Sequence, residues 1–328
     1  MYALSLVDWI KCTFISNLNL CGRICGGFVL PLMHIEYPEF AIDIYTINKM
    51  KTLTIILFLY LSMTSVNLLP GQSFKVMTLN IRYDEKKDSL DNWHLRKQEM
   101  ITFFKKQKPV ILGIQEGLYH QVSYIDSALM HYTYVGTGRD DGNKKGEYCA
   151  LYVDTSQLQI VESGTFWLSD TPLEVSKGWD AALPRICTYA LVRFKKHQQF
   201  CWVFNTHFDH VGALARTKSA ELILKQVATL NNQQYPVILM GDLNASPSET
   251  PVKYLSDALY DIRNAYKFKG PDGTFNGFGK DNANRRIDYI FLSGFKALHA
   301  KHLDTTRKNG RYLSDHFAVL AKIKFAKR

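Results

Sequence analysis

The stretch VILMGDLNASP carries an apolar run into Asp242, one spacer and Asn244, and then a Ser-Pro turn. A carboxylate so placed can orient or deprotonate a water, and the neighbouring amide can hold that water or a phosphate oxygen. Asp-x-Asn at a strand end is also a common turn or cap, so the pair means little without companions. ILGIQEGL ends a second apolar run in Glu116, a hard oxygen donor of the kind Mg²⁺ takes alongside substrate phosphate. FNTHFDH sets Asn205, His207, Asp209 and His210 at the end of a third run, and no further ligand follows at zinc spacing. RRIDYIFLSG supplies Asp288, and YLSDHFAVLAKI supplies Asp315 and His316, a carboxylate and imidazole set in which one group can fix the tautomer of another. No Gly-x-Ser-x-Gly elbow occurs, which argues against a serine hydrolase.

These groups need a frame, and the runs that end in them read as one. From Ser73 onward FKVMTLNI, PVILGIQE, YTYVGTG, YCALYV, LVRF, FCWVFNTHF, YPVILMGDLN, RRIDYIFL and FAVLAKIKF are rich in Val, Ile, Phe and Tyr. Most are bounded by Gly, Asn, Asp or Pro, which predicts strands. Asn80, Glu116, His207, Asp242, Asn244 and Asp288 lie at or just past such runs, where sheet enzymes present side chains to a shared cleft. Helical spacing predicts helices over Leu90–Lys105 and Ala213–Leu230. No linker divides residues 73–328, so the expectation is a single α/β domain.

Taken in order, LNIRY, IQE, NTH, GDLN, IDYI and SDH resemble the motif set of the endonuclease/exonuclease/phosphatase superfamily. That superfamily includes deoxyribonuclease-I-like nucleases, abasic-site endonucleases, sphingomyelinases, inositol-phosphate phosphatases and a deadenylase and nocturnin-type group. The resemblance spans residues 74–325 and implies a four-layered α/β/β/α sandwich with two central mixed β-sheets. It implies Glu116 as the principal Mg²⁺ ligand, Mn²⁺ being a substitute, with Asp315 and Asn80 assisting the metal or the water. It further implies Asp242 as the residue that aligns or activates water. Asn244, His207 and His316 would stabilise charge on the phosphoryl oxygens, and Asp288 would hold His316. Arg82 stands where abasic endonucleases carry an acidic metal-assisting residue, which puts a second carboxylate there in doubt. GTFWLSDTP and GWDAALPRICTYALV resemble an uncharacterised branch, chiefly of secreted bacterial proteins. There Trp167, Trp179, Asp180 and Arg185 either line the substrate or pack an ordered loop. Arg82, Arg185, Trp179, Asp209, His210 and Arg286 are the substrate-contact candidates.

The chain has 328 residues and a formal net charge of +10. Residues 1–49 hold three Lys/Arg against four Asp/Glu, so the excess belongs to the body and favours an anionic partner. The basic pairs Lys86-Lys87, Lys105-Lys106, Lys144-Lys145 and Arg285-Arg286 fit a polyanion track or plain solvated faces, and the loop with Arg139, Asp140 and Lys144 falls near the motifs. Cys149, Cys187 and Cys201 lie in apolar segments and read as buried thiols, whereas Cys12, Cys21 and Cys25 precede residue 50 and form no zinc pattern.

From Met50, MKTLTIILFLYLSMTSVNLLPGQS has the layout of a secretory signal over residues 50–72, with a membrane anchor as the alternative. Residues 1–49 then read as an upstream over-extension of the reading frame, with a small extra domain as the competing reading. N-terminal sequencing that found residues ahead of Met50 in the natural protein would overturn the first of these. The resulting expectation is a secreted or periplasmic Mg²⁺-dependent phosphodiesterase acting on a nucleic acid or nucleotide, with no obligate protein partner. The alternatives are a phospholipid-headgroup or sugar-phosphate phosphatase, and a catalytically silent module that binds phosphate ligands without metal-stimulated turnover.

Overall fold

The computed structural model describes Thr54 and residues 73–326. The chain divides into Met1–Asn67 and Leu68–Arg328, and apart from Thr54 everything described lies in the second unit. The readings made for residues 1–49 and 50–72 therefore fall outside the described residues. Among the described residues no helix is long and apolar enough to cross a membrane.

β1 (Phe74–Asn80) leads through a short 3-10 turn into α1 (Trp93–Gln107), which returns the chain to β2 (Ile111–Gln115), parallel to β1. A parallel pair requires such a crossover, since a tight turn would reverse the strand. α1 begins later than the predicted Leu90. Asn92 takes the N-cap position, its side chain accepting from the His94 N–H, and the residues ahead of it are drawn into the 3-10 turn. Lys108 ends the helix in a left-handed conformation just before Pro109. α2 (Tyr119–Ala128), β3 (Tyr132–Val135), β4 (Leu151–Asp154), β5 (Leu158–Trp167), β6 (Ile186–Phe194) and β7 (Phe200–His207) follow. A second crossover, α3 (Ala213–Leu230), connects β7 to the parallel β8 (Val237–Asp242). α4 (Thr250–Ala258), β9 (Tyr260–Asp261), β10 (Phe268–Lys269), β11 (Asp288–Ser293), β12 (Phe295–Leu303) and β13 (Ala318–Phe325) complete the order.

The strands form a seven-stranded sheet, β10-β12-β13-β1-β2-β4-β3, and a six-stranded sheet, β5-β6-β7-β8-β11-β9. Both mix parallel and antiparallel pairs. Alternation along each strand divides the apolar side chains between two faces. Val76, Ile111, Val203, Ile238, Ile290 and Val319 form the core between the sheets. Met77, Leu79 and Leu112 turn the other way, onto Trp93, Met100 and Phe104 of α1 and Val122 of α2. Trp202, Phe204 and Phe291 likewise turn outward onto Ile223 of α3 and Leu255 of α4. The result is the expected α/β/β/α sandwich.

The parallel pairs β1/β2 and β7/β8 end at the same edge of the sandwich, which is why the polar strand ends meet. Two glycines let the backbones close there. A Cβ on Gly113 would lie 2.8 Å from the Asn205 amide oxygen, and Gly241, at φ +143°, leaves no room for one beside the Thr206 carbonyl. Asn205 ties the two sheets together, its amide donating to the carbonyls of Ile114 (2.9 Å) and Ala150 (3.0 Å). Cys149, Cys187 and Cys201 are buried free thiols, as their apolar surroundings predicted.

Candidate active site

Asn80 ends β1 and is fully buried. Its amide nitrogen donates to Glu116 Oε1 (2.9 Å) and to Asp242 Oδ2 (3.0 Å), so one side chain joins two carboxylates contributed by different sheets. Glu116, just past β2, holds φ at +62°, and its other oxygen accepts the Tyr83 N–H at 3.2 Å. Arg82 forms a fork with Asp88 (2.9 and 3.1 Å), while its guanidinium lies 3.9 Å from both Glu116 and Asp315. Burial pushes the Asp315 carboxyl up and the Glu116 charge adds to it, against the pull of His316. Two hard carboxylates facing one partly buried space suit a divalent oxygen-seeking ion, which would relieve that repulsion. Asp242, Asp288 and His316 also cluster tightly enough to hold an ion. There His316 is already bonded to Asp288, and Asp242 accepts from Asn80 and Asn244, so Glu116 with Asp315 is the better metal centre.

The buried Arg96 of α1 supports this end of the site. It donates to the carbonyls of Ile81, Arg82, Asp91 and Leu313, clamping the loop after β1 to the loop that carries Asp315. Ser314 closes the same joint by donating to the Asn80 carbonyl at 2.6 Å.

Asp242 ends β8 between two histidines, with His207 Nε2 at 3.6 Å and His316 Nε2 at 3.8 Å. Burial and the Asp288 charge push its carboxyl up to about 7, opposed by His316. His316 Nδ1 lies 2.8 Å from Asp288 Oδ2. Burial alone would lower the imidazole, but Asp288, followed by Asp242 and Asp315, raises it to about 10. Phe275 packs edge-on against His316, with ring centroids 5.1 Å apart, and Arg285 lies over the Phe275 ring.

His207 has the opposite character. Burial and the neighbouring cations Arg185 and Arg139 hold it well below its ordinary value. The Asn244 amide lies 3.1 Å from its Nε2. A donating amide there leaves the ring proton on Nδ1, which points toward Glu147 Oε2 at 3.8 Å. Glu147, which the sequence reading did not single out, grips Arg139 through both oxygens (2.7 and 2.9 Å). Burial and Glu116 push its carboxyl up to about 7, against Arg139 and Arg185. It directly precedes Tyr148 and the strand-like run that follows, so a search before the runs as well as after them would have found it.

The substrate-contact candidates separate. Arg185 is buried beside His207, Arg139 and Glu147, and among the described residues its Nη1 has no hydrogen-bond partner. Its Nε donates to Asp209 and its Nη2 meets His210 Nδ1 at 2.9 Å. Asp209 is committed to the loop. Although burial opposes it, the N–H groups of Gly212, Ala182 and Val211 hold its carboxyl far below the usual range. Trp179 is half-buried at φ +49°, and its Nε1 donates to Asp170 at 3.2 Å. Asp180 instead caps α3 through the Ala215 N–H, and Trp167 is buried with its Nε1 on the Arg139 carbonyl. Arg286 pairs with Asp261 at 2.7 Å and covers the Tyr289 ring.

The chain matches the Endonuclease/Exonuclease/phosphatase family over residues 77–316. An endonuclease/exonuclease/phosphatase from Bacteroides vulgatus is 32% identical, with 78% of this chain covering 100% of that one at a TM-score of 0.75. The mannosyl-6-phosphatase of Bacteroides thetaiotaomicron is 34% identical, with 77% of this chain covering 100% of that one at a TM-score of 0.73. Nocturnin from Rattus norvegicus is 23% identical over 71% of this chain, which spans only 59% of that protein. Two carboxylates suited to a divalent ion, an aspartate between two histidines and these likenesses agree: the chain belongs to the endonuclease/exonuclease/phosphatase family, whose enzymes hydrolyse phosphate esters.

Proposed function

We propose that this chain is a Mg²⁺-dependent phosphatase that hydrolyses a phosphate monoester of a sugar, with Mn²⁺ as a working substitute. The observation that carries the chemistry is Asp242, fixed by Asn80 and set between His207 and His316. Glu116 and Asp315, with the Asn80 amide oxygen nearby, would hold the ion, which supplies Lewis-acid neutralisation of phosphoryl charge when bound. Asp242 aligns a water and takes its proton. His316, kept charged by Asp288, donates to the phosphoryl oxygens as negative charge builds, while the Asn244 amide, held by the Phe208 carbonyl, orients His207. Neutral His207 accepts the Asn244 N–H at Nε2 and keeps its proton on Nδ1, toward Glu147. As the bond to phosphorus breaks, the leaving alkoxide takes a proton from solvent water, and Asp242 returns to solvent the proton it removed.

Two observations support the sugar class. The relative at 34% identity acts on a mannosyl 6-phosphate, by its name. Beside His207 and Glu147, the buried donors Arg139 Nε and Arg185 Nη1 have no hydrogen-bond partner among the described residues, spare donor capacity next to the cleft of a kind that hydroxyl groups use. A second reading, a nucleic-acid or nucleotide phosphodiesterase, is favoured by the net charge of +10. Release of phosphate from mannose 6-phosphate and glucose 6-phosphate, compared with cleavage of poly(A) and of bis-p-nitrophenyl phosphate, separates them. Turnover of the diesters alone would remove the sugar reading. Export is proposed from the signal-like segment at Met50, and fractionation of the natural host that placed the protein in the cytoplasm would refute it.

A further inference from the structure

At the opposite end of the seven-stranded sheet from the cleft, four adjacent strands aim lysines at the same outer face. Lys75 pairs directly across from Lys322. Lys322 pairs with His299, and two residues further along β12 Lys301 pairs with Lys269 on β10. Together with Lys267 they line a concave groove of about 470 Å³, and among the described residues that line it none is acidic. None of the five lysines makes an ion pair among the described residues. Lys75 is lowered by burial and then by the charges of Lys301, Lys322 and Lys108. Its ammonium reaches the Gln107 carbonyl at the end of α1, and among the described residues no carboxylate answers it.

Like charges directly opposite on neighbouring strands are destabilising, and sequences ordinarily intersperse acids among them. Lysines do protect exposed sheet edges, and that accounts for Lys269 on the edge strand β10. It does not account for Lys301, Lys322 and Lys75, which stand on β12, β13 and β1 inside the sheet. With strands about 4.8 Å apart, the row crosses roughly 14 Å, and Lys75 lies roughly 17 Å along β1 from Asn80. The groove is therefore separate from the catalytic cleft.

We propose that this groove binds the backbone of a single-stranded nucleic acid, holding successive phosphates on the lysine row. The concave shape favours a strand over the surface of a bilayer. Tyr266, next in sequence to the groove-lining Lys267 whose carbonyl accepts the Ala300 N–H, is 94% exposed, so its ring is open to stack on a base. A basic track with an aromatic platform is how sequence-neutral single-strand sites are built. The assignment is independent of which phosphate ester the catalytic cleft hydrolyses.

The test is fluorescence anisotropy of a labelled dT20 oligonucleotide with the full chain in EDTA, across a salt series. Competition by heparin and by phosphatidylglycerol vesicles is read alongside. The triple variant K269Q/K301Q/K322Q replaces exposed side chains, and its thermal melt confirms that it remains folded. It should bind dT20 about tenfold or more weakly, and the slope of log affinity against log salt should flatten by about two. Tyr266→Ala should weaken dT20 several-fold and leave heparin unchanged. K86Q/K87Q, in the 3-10 turn that follows β1 and outside the groove lining, should bind as the wild type does. Unaltered dT20 binding by the triple variant overturns the site. Loss of heparin or vesicle binding with dT20 binding retained assigns the groove to a different polyanion and overturns the nucleic-acid occupant.

Discussion

His316 and His207 approach the same carboxylate from two sides, yet the fold prepares them for opposite states. His316 touches Asp288 at 2.8 Å and is surrounded by three carboxylates, so it keeps its proton up to about 10. His207 sits 3.8 Å from Glu147, whose oxygens are already taken by Arg139, and two arginines drive its proton off. Both rings are equally hidden from water, so the difference between them comes from the neighbouring charges rather than from burial. A fixed cation on one side and a neutral, polarisable donor on the other let one cleft stabilise phosphoryl charge and still handle a proton.

Breaking the tight half should cost most. Asp288→Asn should lower kcat on the order of 10²–10³-fold, within the range for loss of a positioned acid-base partner. The same change should bring the His316 imidazole back toward its ordinary 6.5, read from its ring-proton shifts in an NMR titration. The sign for stability follows. A histidine raised in the folded state contributes stability that is full below its ordinary value and is lost as pH rises through about 10. The melting deficit of Asp288→Asn should therefore be largest near pH 6 and should shrink toward pH 10.

Asn244→Ala is expected to have an intermediate effect, about a hundredfold in kcat, because it releases His207 Nε2 and with it the orientation of the ring beside Asp242. Loosening the other half should matter least. Glu147→Gln should reduce kcat by about tenfold or less, since its 3.8 Å contact with His207 is long and neutral His207 needs little charge opposite it. Steady-state kinetics on p-nitrophenyl phosphate measure both. A larger loss for Glu147→Gln than for Asp288→Asn would reverse the assignment of the two halves.

The legible parts of this molecule are those in which chemistry follows a buried run. Asn80, Glu116, His207, Asp242 and Asp288 all terminate or begin strands that are apolar on both faces, because each sheet is covered on both sides. β5 and β12 were missed for the converse reason. Their outward positions, such as Glu162, Lys296 and Lys301, meet solvent and interrupt the apolar pattern. α2 has no side-chain hydrogen bond from its N-cap Leu118 to announce it, and α4 is only nine residues long. The helix over Ala213–Leu230 was legible because its apolar face repeats over eighteen residues. Glu147 escaped notice because it leads into a run where the others follow one. Arg286 looked like a substrate contact from its place beside Asp288, but Asp261, twenty-five residues away in sequence, holds it. The lysine groove was invisible for the same reason, since positions 75, 267, 269, 301 and 322 meet only once the sheet has formed.

The most direct test of the central claim is p-nitrophenyl phosphate turnover by the full chain and by Asp242→Asn, each with Mg²⁺ and with EDTA. Wild-type turnover should require the ion, and the variant should lose on the order of 10³-fold while retaining its melting profile. Turnover that survives EDTA, or an Asp242→Asn enzyme as fast as the wild type, would contradict the account of the cleft.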